Sequence, residues 1–400
     1  MGRRDMLREG AAGGPEILPP GPRDRARDAP RGWSRDRALE MAEASGWPPL
    51  DLSLGVPAES PPELSRPGGG VRTGLSPARY PLSAGSLELR TTAADYLARR
   101  FRVTVSISAV AACAGAKEFI STVPSFLRAS RGKDAPERDL ALIPALGYPP
   151  YEFGARLAGL TVRRVPVDAE YRMDLDEIPD RLAARALYMW VNSPSNPTGV
   201  VERRLDEVVE WGRERGVLIL SDEAYAELTW RDQPRTALAA GLDGVLAVHS
   251  AAKRSNAPGL RVGFFAGDPA LVAALLRSRR MAGLIAAEES QRAAVRLFAD
   301  DGHAAELRAR TAARLAGLVE LCNSHGLRCA HPDGSMFLWA AAPGGDGVTF
   351  ADNAATRAGL IIAPGIDYGP TGSGHVRLAA VHDPGAIEER LGALAAAGAI

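Results

Sequence analysis

Cysteine is scarce in this 400-residue chain, which holds only Cys113, Cys322 and Cys329. So small and odd a set argues against a disulfide framework and for a reducing compartment, with the cytoplasm the expected location. Net charge is missing too, because 48 lysines and arginines meet 48 aspartates and glutamates. No long-range field therefore draws the chain to nucleic acid or to an anionic membrane. There is no run of 18 apolar residues to cross a bilayer, and the opening MGRRDMLREG lacks the apolar stretch of a signal peptide. A protein acting on small molecules, with no nucleic-acid or membrane partner, is the expectation these absences leave.

What is present is enough apolar sequence, 46% of residues, to bury a large core and, at this length, to form two domains. Residues 1–35, rich in Arg, Asp, Gly and Pro, have too little apolar surface to offset the entropy of ordering and predict a disordered tail. Residues 36–75 predict a lead-in segment, with a helix over 36–44, a strand over 50–55 and a proline-rich break over 57–67, packing with the smaller domain. Over 76–275, short apolar runs alternate with amphipathic helical spacings. That pattern predicts an α/β fold whose mostly parallel central sheet is covered by helices on both faces. Over 276–400 the helices lengthen and strand-like pieces at 336–340 and 375–379 predict a smaller α+β domain.

Ligands of parallel α/β sheets gather where the strands end, so the polar residues closing each apolar run come first. The run 187–191 ends in NSPSNPTG, 217–220 ends in SDEAY, and 245–248 ends in HSAAK, with Arg261 eight residues after Lys253. Singly each has an ordinary reading, Asp222 as a helix cap and Lys253 as a solvated lysine. Together they place an acid, an amine, a phenol, an amide and hydroxyls at successive strand ends.

That combination resembles the pyridoxal 5′-phosphate (PLP) aminotransferases of class I/II, fold type I, from about Leu50 to the C terminus. NSPSNPTG, SDEAY and SAAKRSNAPGLRVG look like the family's asparagine-proline, aspartate-tyrosine and lysine motifs. YPLSAGSLELR, GYPPYEFGARLAG and the closing APG…GHVRLA look like the succinyldiaminopimelate aminotransferase branch of actinobacteria.

The resemblance implies PLP as cofactor and transfer of an amino group between an amino acid, glutamate being the expected donor, and a 2-oxo acid or related carbonyl. Lys253 would bind the cofactor covalently and then move the substrate proton. Asp222 would keep the pyridine nitrogen protonated, with Asn196 and Tyr225 at the phenolic oxygen. Tyr148 would stack on the ring, with Tyr151 the alternative. Ala116 and Lys117 in the first turn of a helix, together with Ser250 and Arg261, would hold the phosphate. Arg377 and Asn196 would take the substrate carboxylate, approached by the backbone of Gly55. Tyr80 would reach the phosphate of a neighbouring subunit, which implies a homodimer. Strand alternation turns Glu223 away from Asp222, so the two acids are not read as a catalytic pair.

Departures and rivals bear on the reaction. The branch places a second serine where Ala252 stands, and Glu288 and Glu289 put two acids into a stretch expected near the active-site mouth. These keep open a PLP lyase, cyclase or oxidative deaminase built on the same site; the Arg- and Ala-rich style suggests a high-GC genome, in which an aminotransferase of specialised metabolism is expected. A ligand-sensing regulator would need a DNA-binding domain that the first 50 residues are too short to form. Cys322, His325, Cys329 and His331 have spacings that zinc ligands can have, but they fit a helix, turn and strand of the smaller domain better, and no metal is expected.

Overall fold

The computed structural model describes residues 35–53, 55, 81–131, 137–231 and 233–400. The expected tail, most of the proline-rich segment and Tyr80 lie outside the described residues. The chain runs from α1 (Arg35–Ala44) and β1 (Leu50–Asp51) through α2 (Leu87–Phe101), β2 (Val110–Cys113), α3 (Ala116–Ala129) and β3 (Leu140–Pro144). It continues with α4 (Pro150–Leu157), β4 (Thr161–Val165), α5 (Asp180–Ala183), β5 (Ala186–Asn192), α6 (Leu205–Arg215) and β6 (Leu218–Asp222). Then come β7 (Val245–Ser250), α7 (Ala251–Arg254), β8 (Gly263–Gly267), α8 (Pro269–Met281), α9 (Glu288–Ala299) and α10 (Gly302–Ser324). The last elements are β9 (Phe337–Ala341), α11 (Gly347–Ala358), β10 (Leu360–Ile361), β11 (Ala363–Pro364), β12 (His375–Ala379) and α12 (Gly385–Ala396).

Seven strands form the main sheet in the order β2-β8-β7-β6-β5-β3-β4. All pairings are parallel except those of β8, which runs antiparallel to both β2 and β7. Its inner strands are mostly apolar because both faces are covered, whereas the edge strand β4, TVRRV, is largely exposed; in the inner strands the period of two divides the side chains between two cores. From β5, Met189 and Val191 join Leu205, Val208 and Phe298 on one face; Tyr188 and Trp190 join Phe119, Ile120 and Leu275 on the other. β6 and β7 divide in the same way, Ile219 and Val245 to the first face, Leu220 and Leu246 to the second.

The second sheet, β11-β12-β9, is antiparallel and packs with α10, α11 and α12 around Leu315, Leu338, Phe350 and Leu378. The strand expected over 50–55 is shorter. Only Leu50 and Asp51 form strand, in parallel with β10; the Leu52 amide still donates to the Ile361 carbonyl at 2.8 Å, and Ser53 and Gly55 line the cavity described below. α10 ends at Ser324 with His325 as its cap, and Gly326 follows at φ +86°. Among the described residues no helix is long and apolar enough to cross a membrane.

One buried ion pair connects the core to the strand ends. Arg279 of α8, 1% exposed, donates to both carboxylate oxygens of Glu118, at 2.8 and 2.7 Å. Glu118 also accepts the Ala114 amide at 3.0 Å, which fixes the approach to α3. Burial alone would push the Glu118 carboxyl up, but Arg279 and this amide override it and hold the group below the usual range. Removing one partner of such a pair leaves an uncompensated charge in the interior. Arg279→Ala is therefore expected to destabilise the fold by about 3–5 kcal/mol, read from denaturant unfolding; a loss under about 1 kcal/mol would show that water reaches Glu118.

Candidate active site

A cavity of about 490 Å³ opens where β5, β6 and β7 end, between the main sheet and the smaller one. Parallel neighbours in register bring their terminal residues together, Asn192 opposite Asp222 and Asp222 opposite Val248. The Asn192 side chain ties the loops that follow, donating to the Asp222 carbonyl at 2.8 Å and accepting the Asn196 amide at 2.7 Å. The structure thereby gathers Asn196, Asp222, Tyr225, Ser250 and Lys253 on one cavity wall.

Asp222 is 3% exposed, and burial first of all pushes its carboxyl up to about 6, against the downward pull of the Tyr151 hydroxyl. That hydroxyl donates to Oδ2 at 2.7 Å, while Oδ1 accepts the Ala224 amide at 3.1 Å. Tyr151 lies beneath the cavity with its ring stacked on Trp190, centroids 4.9 Å apart, and Tyr148 is the tyrosine that lines the cavity. Glu223 faces the other way, accepting from Ser221 Oγ at 2.8 Å and the Ala237 amide at 2.8 Å, with His249 Nε2 at 3.1 Å.

Lys253 sits on the short helix α7, whose N-cap is Ser250, with its amine 6.0 Å from the Tyr225 ring centroid and hydrogen-bonded to the Gly55 carbonyl. Burial, then repulsion from Arg377, Lys117 and Arg261, lowers its pKa to about 7. Across the cavity the first turn of α3 presents Ala116 and Lys117 beside Arg261. Gly115 caps that helix at φ +85°, and a Cβ there would stand 2.9 Å from Arg261 Nη2, so only glycine lets the guanidinium this close.

Arg377, from the middle strand of the smaller sheet, donates to Asn196 Oδ1 at 2.8 Å and to the Ser53 carbonyl. Its guanidinium carbon lies 3.9 Å from the Phe337 ring centroid and 5.0 Å from that of Tyr368. Phe337, Tyr368 and Asp367 line the cavity as well and were not singled out from the sequence. Position in the loop after APG was the available signal for the last two. Glu288 and Glu289, expected near the mouth, do not line the cavity; they occupy the first turn of α9, where acids are favoured by the helix dipole, and Glu288 pairs with Arg292 at 2.6 Å. Among the described residues no group of three or more His, Cys, Asp or Glu could hold a metal. Cys322 is buried in the smaller core, and the His325 and His331 rings lie against backbone carbonyls.

A cation-stabilising carboxylate, an enclosed amine and an anion cradle in one cavity form a donor set that fits pyridoxal phosphate. The model of the family described as aminotransferase class I and II matches residues 72–394. The chain belongs to this family. It is 37% identical over 354 residues to a 4-dedimethylamino-4-oxo-anhydrotetracycline transaminase of Streptomyces rimosus, a match covering 87% of this chain and 92% of that one. A probable aminotransferase of Mycobacterium tuberculosis is 36% identical over 371 residues, covering 89% and 81%. Among solved structures, a probable N-succinyldiaminopimelate aminotransferase from Thermus thermophilus superposes with a TM-score of 0.79 at 25% identity, covering 91% of this chain and 98% of that one. Membership makes the protein a PLP-dependent transaminase of fold type I.

The lowered Lys253 pKa gives this aminotransferase a pH signature. Below about pH 7 the buried amine is protonated and unreactive; above it the free base is present, well before an ordinary lysine would titrate. Because the unfolded chain keeps this proton to higher pH, stability rises with pH from about 7 toward the ordinary lysine range. Brief acylation of the cofactor-free protein, read at Lys253 by mass spectrometry, is expected to be half-maximal near pH 7, and a midpoint near 10 would refute the shift.

Proposed function

We propose that the cavity residues perform amino-group transfer in the roles their positions suggest, with Lys253 as the covalent anchor and proton carrier. The enclosure of its amine in the same cavity as Asp222 is the observation that carries this reading. Bound there, pyridoxal phosphate supplies an aldehyde for the substrate amine and a cationic ring that takes up electrons when a bond at the substrate Cα breaks. Asp222, held by Tyr151 and the Ala224 amide, offers the ring nitrogen a negative charge whose own burial cost is relieved by a cation. Tyr148, Tyr225 and Asn196 line the cavity, where Tyr148 would cover the ring and the Tyr225 hydroxyl and Asn196 amide would hold the phenolic oxygen. Ser250, Arg261 and the first turn of α3 hold the phosphate.

Arg377 grips the substrate carboxylate with its two-pronged guanidinium, giving up the Ser53 carbonyl as it does so. Lys253 Nζ, a base near neutrality, would then take the proton from the substrate Cα and deliver it to the cofactor carbon on the other side of the substrate nitrogen. The names of the relatives span a tetracycline precursor and N-succinyldiaminopimelate. Family membership therefore leaves the substrate open, and specialised metabolism is as consistent with it as a primary pathway.

A single-turnover experiment tests the reaction. With amino acid alone, starting from glutamate and widening to a panel, the holoenzyme is expected to release one 2-oxo acid per bound cofactor and no ammonia. Ammonia or continued turnover without an acceptor would favour the lyase or deaminase reading. Lys253→Ala is expected to abolish release, and Asp222→Asn to slow it by about 10- to 10³-fold, the counterpart of the 1–3 pKa units a neighbouring charge is worth; an unchanged rate in either would remove that residue's role.

We propose a homodimer as well. Leu82, Leu87, Phe153, Leu157 and Met281 are large apolar side chains left exposed, and Phe153 and Leu157 share one face of α4. Light scattering is expected to give twice the chain mass at micromolar concentration, whereas a monomer with full activity would overturn the assignment of Tyr80 to a neighbouring site.

A further inference from the structure

The charged groups of the cavity wall are Lys117, Asp222, Lys253, Arg261, Arg377 and Asp367. The first five have work in the reading above. Asp367 has none: among the described residues its carboxylate makes no hydrogen bond and no ion pair, and Arg377 acts on it only from beyond ion-pair distance. The residue is exposed where it lines the cavity, and the nearby protein surface still pushes its carboxyl up to about 6, so it is ionised at neutral pH and open to whatever enters.

The backbone under Asp367 is held hard. The turn Gly365–Tyr368 follows β11, whose Ala363 pairs with Arg377. A Cβ on Gly365 would come within 2.2 Å of the Gly372 carbonyl oxygen and 2.6 Å of the Trp339 ring. At the other end the Tyr368 carbonyl accepts the Gly147 amide at 2.9 Å and Arg164 Nη1 at 3.1 Å, which locks the turn to the loop presenting Tyr148. Asp367 therefore sits on a held turn of the cavity wall, three residues beyond the strand that pairs with that of Arg377.

We propose that Asp367 sets the substrate class. The site takes an amino compound, or the matching carbonyl, that carries a hydrogen-bond donor away from the reacting carbon, an ammonium or a hydroxyl, and disfavours one with a second carboxylate there. The inference rests on the transaminase reading and on Arg377 as the carboxylate grip. One carboxylate is satisfied by Arg377; a second, placed along the same wall, meets the negative charge of Asp367, whereas a donor there pairs with it in exchange for water. This runs against glutamate as the preferred amino donor.

The test compares single-turnover efficiencies of the holoenzyme with L-ornithine, L-glutamate and neutral L-2-aminobutyrate. Ornithine is expected to exceed glutamate by about tenfold or more. Asp367→Asn is expected to shrink that ratio about tenfold with little change for 2-aminobutyrate, and Asp367→Glu to keep the preference for ornithine. Glutamate equal to or better than ornithine in the parent, a ratio unmoved by Asp367→Asn, or inert ornithine beside a reactive neutral amino acid each overturns the proposal while leaving transamination intact. Failure of every amino acid to react would instead overturn the reading beneath it.

Discussion

An amine and a carboxylate share one water-poor cavity, and the rest of the site is arranged around that constraint. Desolvation moves Lys253 down to about 7 and Asp222 up to about 6, so two groups that differ widely in water come close to each other near neutrality. Neither would keep its charge cheaply without partners, and the fold supplies them selectively. Asp222 receives a phenol and an amide and keeps one flank open to the cavity. Lys253 receives only a backbone carbonyl and the edge of three cations. The outcome is an acid held in place and an amine held ready.

Holding them this way requires a backbone that does not yield. Parallel strands in register deliver Asn192, Asp222 and Val248 to the same level, and the aromatic and aliphatic layers on both faces leave no room for a strand to slide. The Glu118–Arg279 pair extends this rigidity to the start of α3, so the anion cradle is anchored from inside the main core and not by its own loop.

Much of this was legible in the sequence because the chemistry directly follows apolar runs. NSPSNPTG, SDEAY and HSAAK each end a strand, and alternation alone separated Asp222 from Glu223. Small residues hid β2: Val110-Ala111-Ala112-Cys113 has no bulky β-branched run, and its strand character comes from pairing with β8. The lead-in strand was read too long because its partner β10 is only two residues, after which the carbonyls of Ser53 and Gly55 turn to Arg377 and Lys253. Tyr151, read only as an alternative ring-stacking residue, and Asp367, marked only by its place after APG, gave no sign of their surroundings. One matters through a carboxylate 71 positions away, the other through a turn fixed by glycines and by a loop more than 200 positions earlier.

β12 has a consequence for how the protein is made. It is the centre of the three-stranded sheet and the last strand of the chain, and its Ala379 amide bonds back to Leu52 near the other end of the described sequence. Contacts of such long separation close late. A chain leaving the ribosome can therefore assemble the strand ends around Lys253 well before Arg377 arrives, so the two walls of the cavity are made at different times.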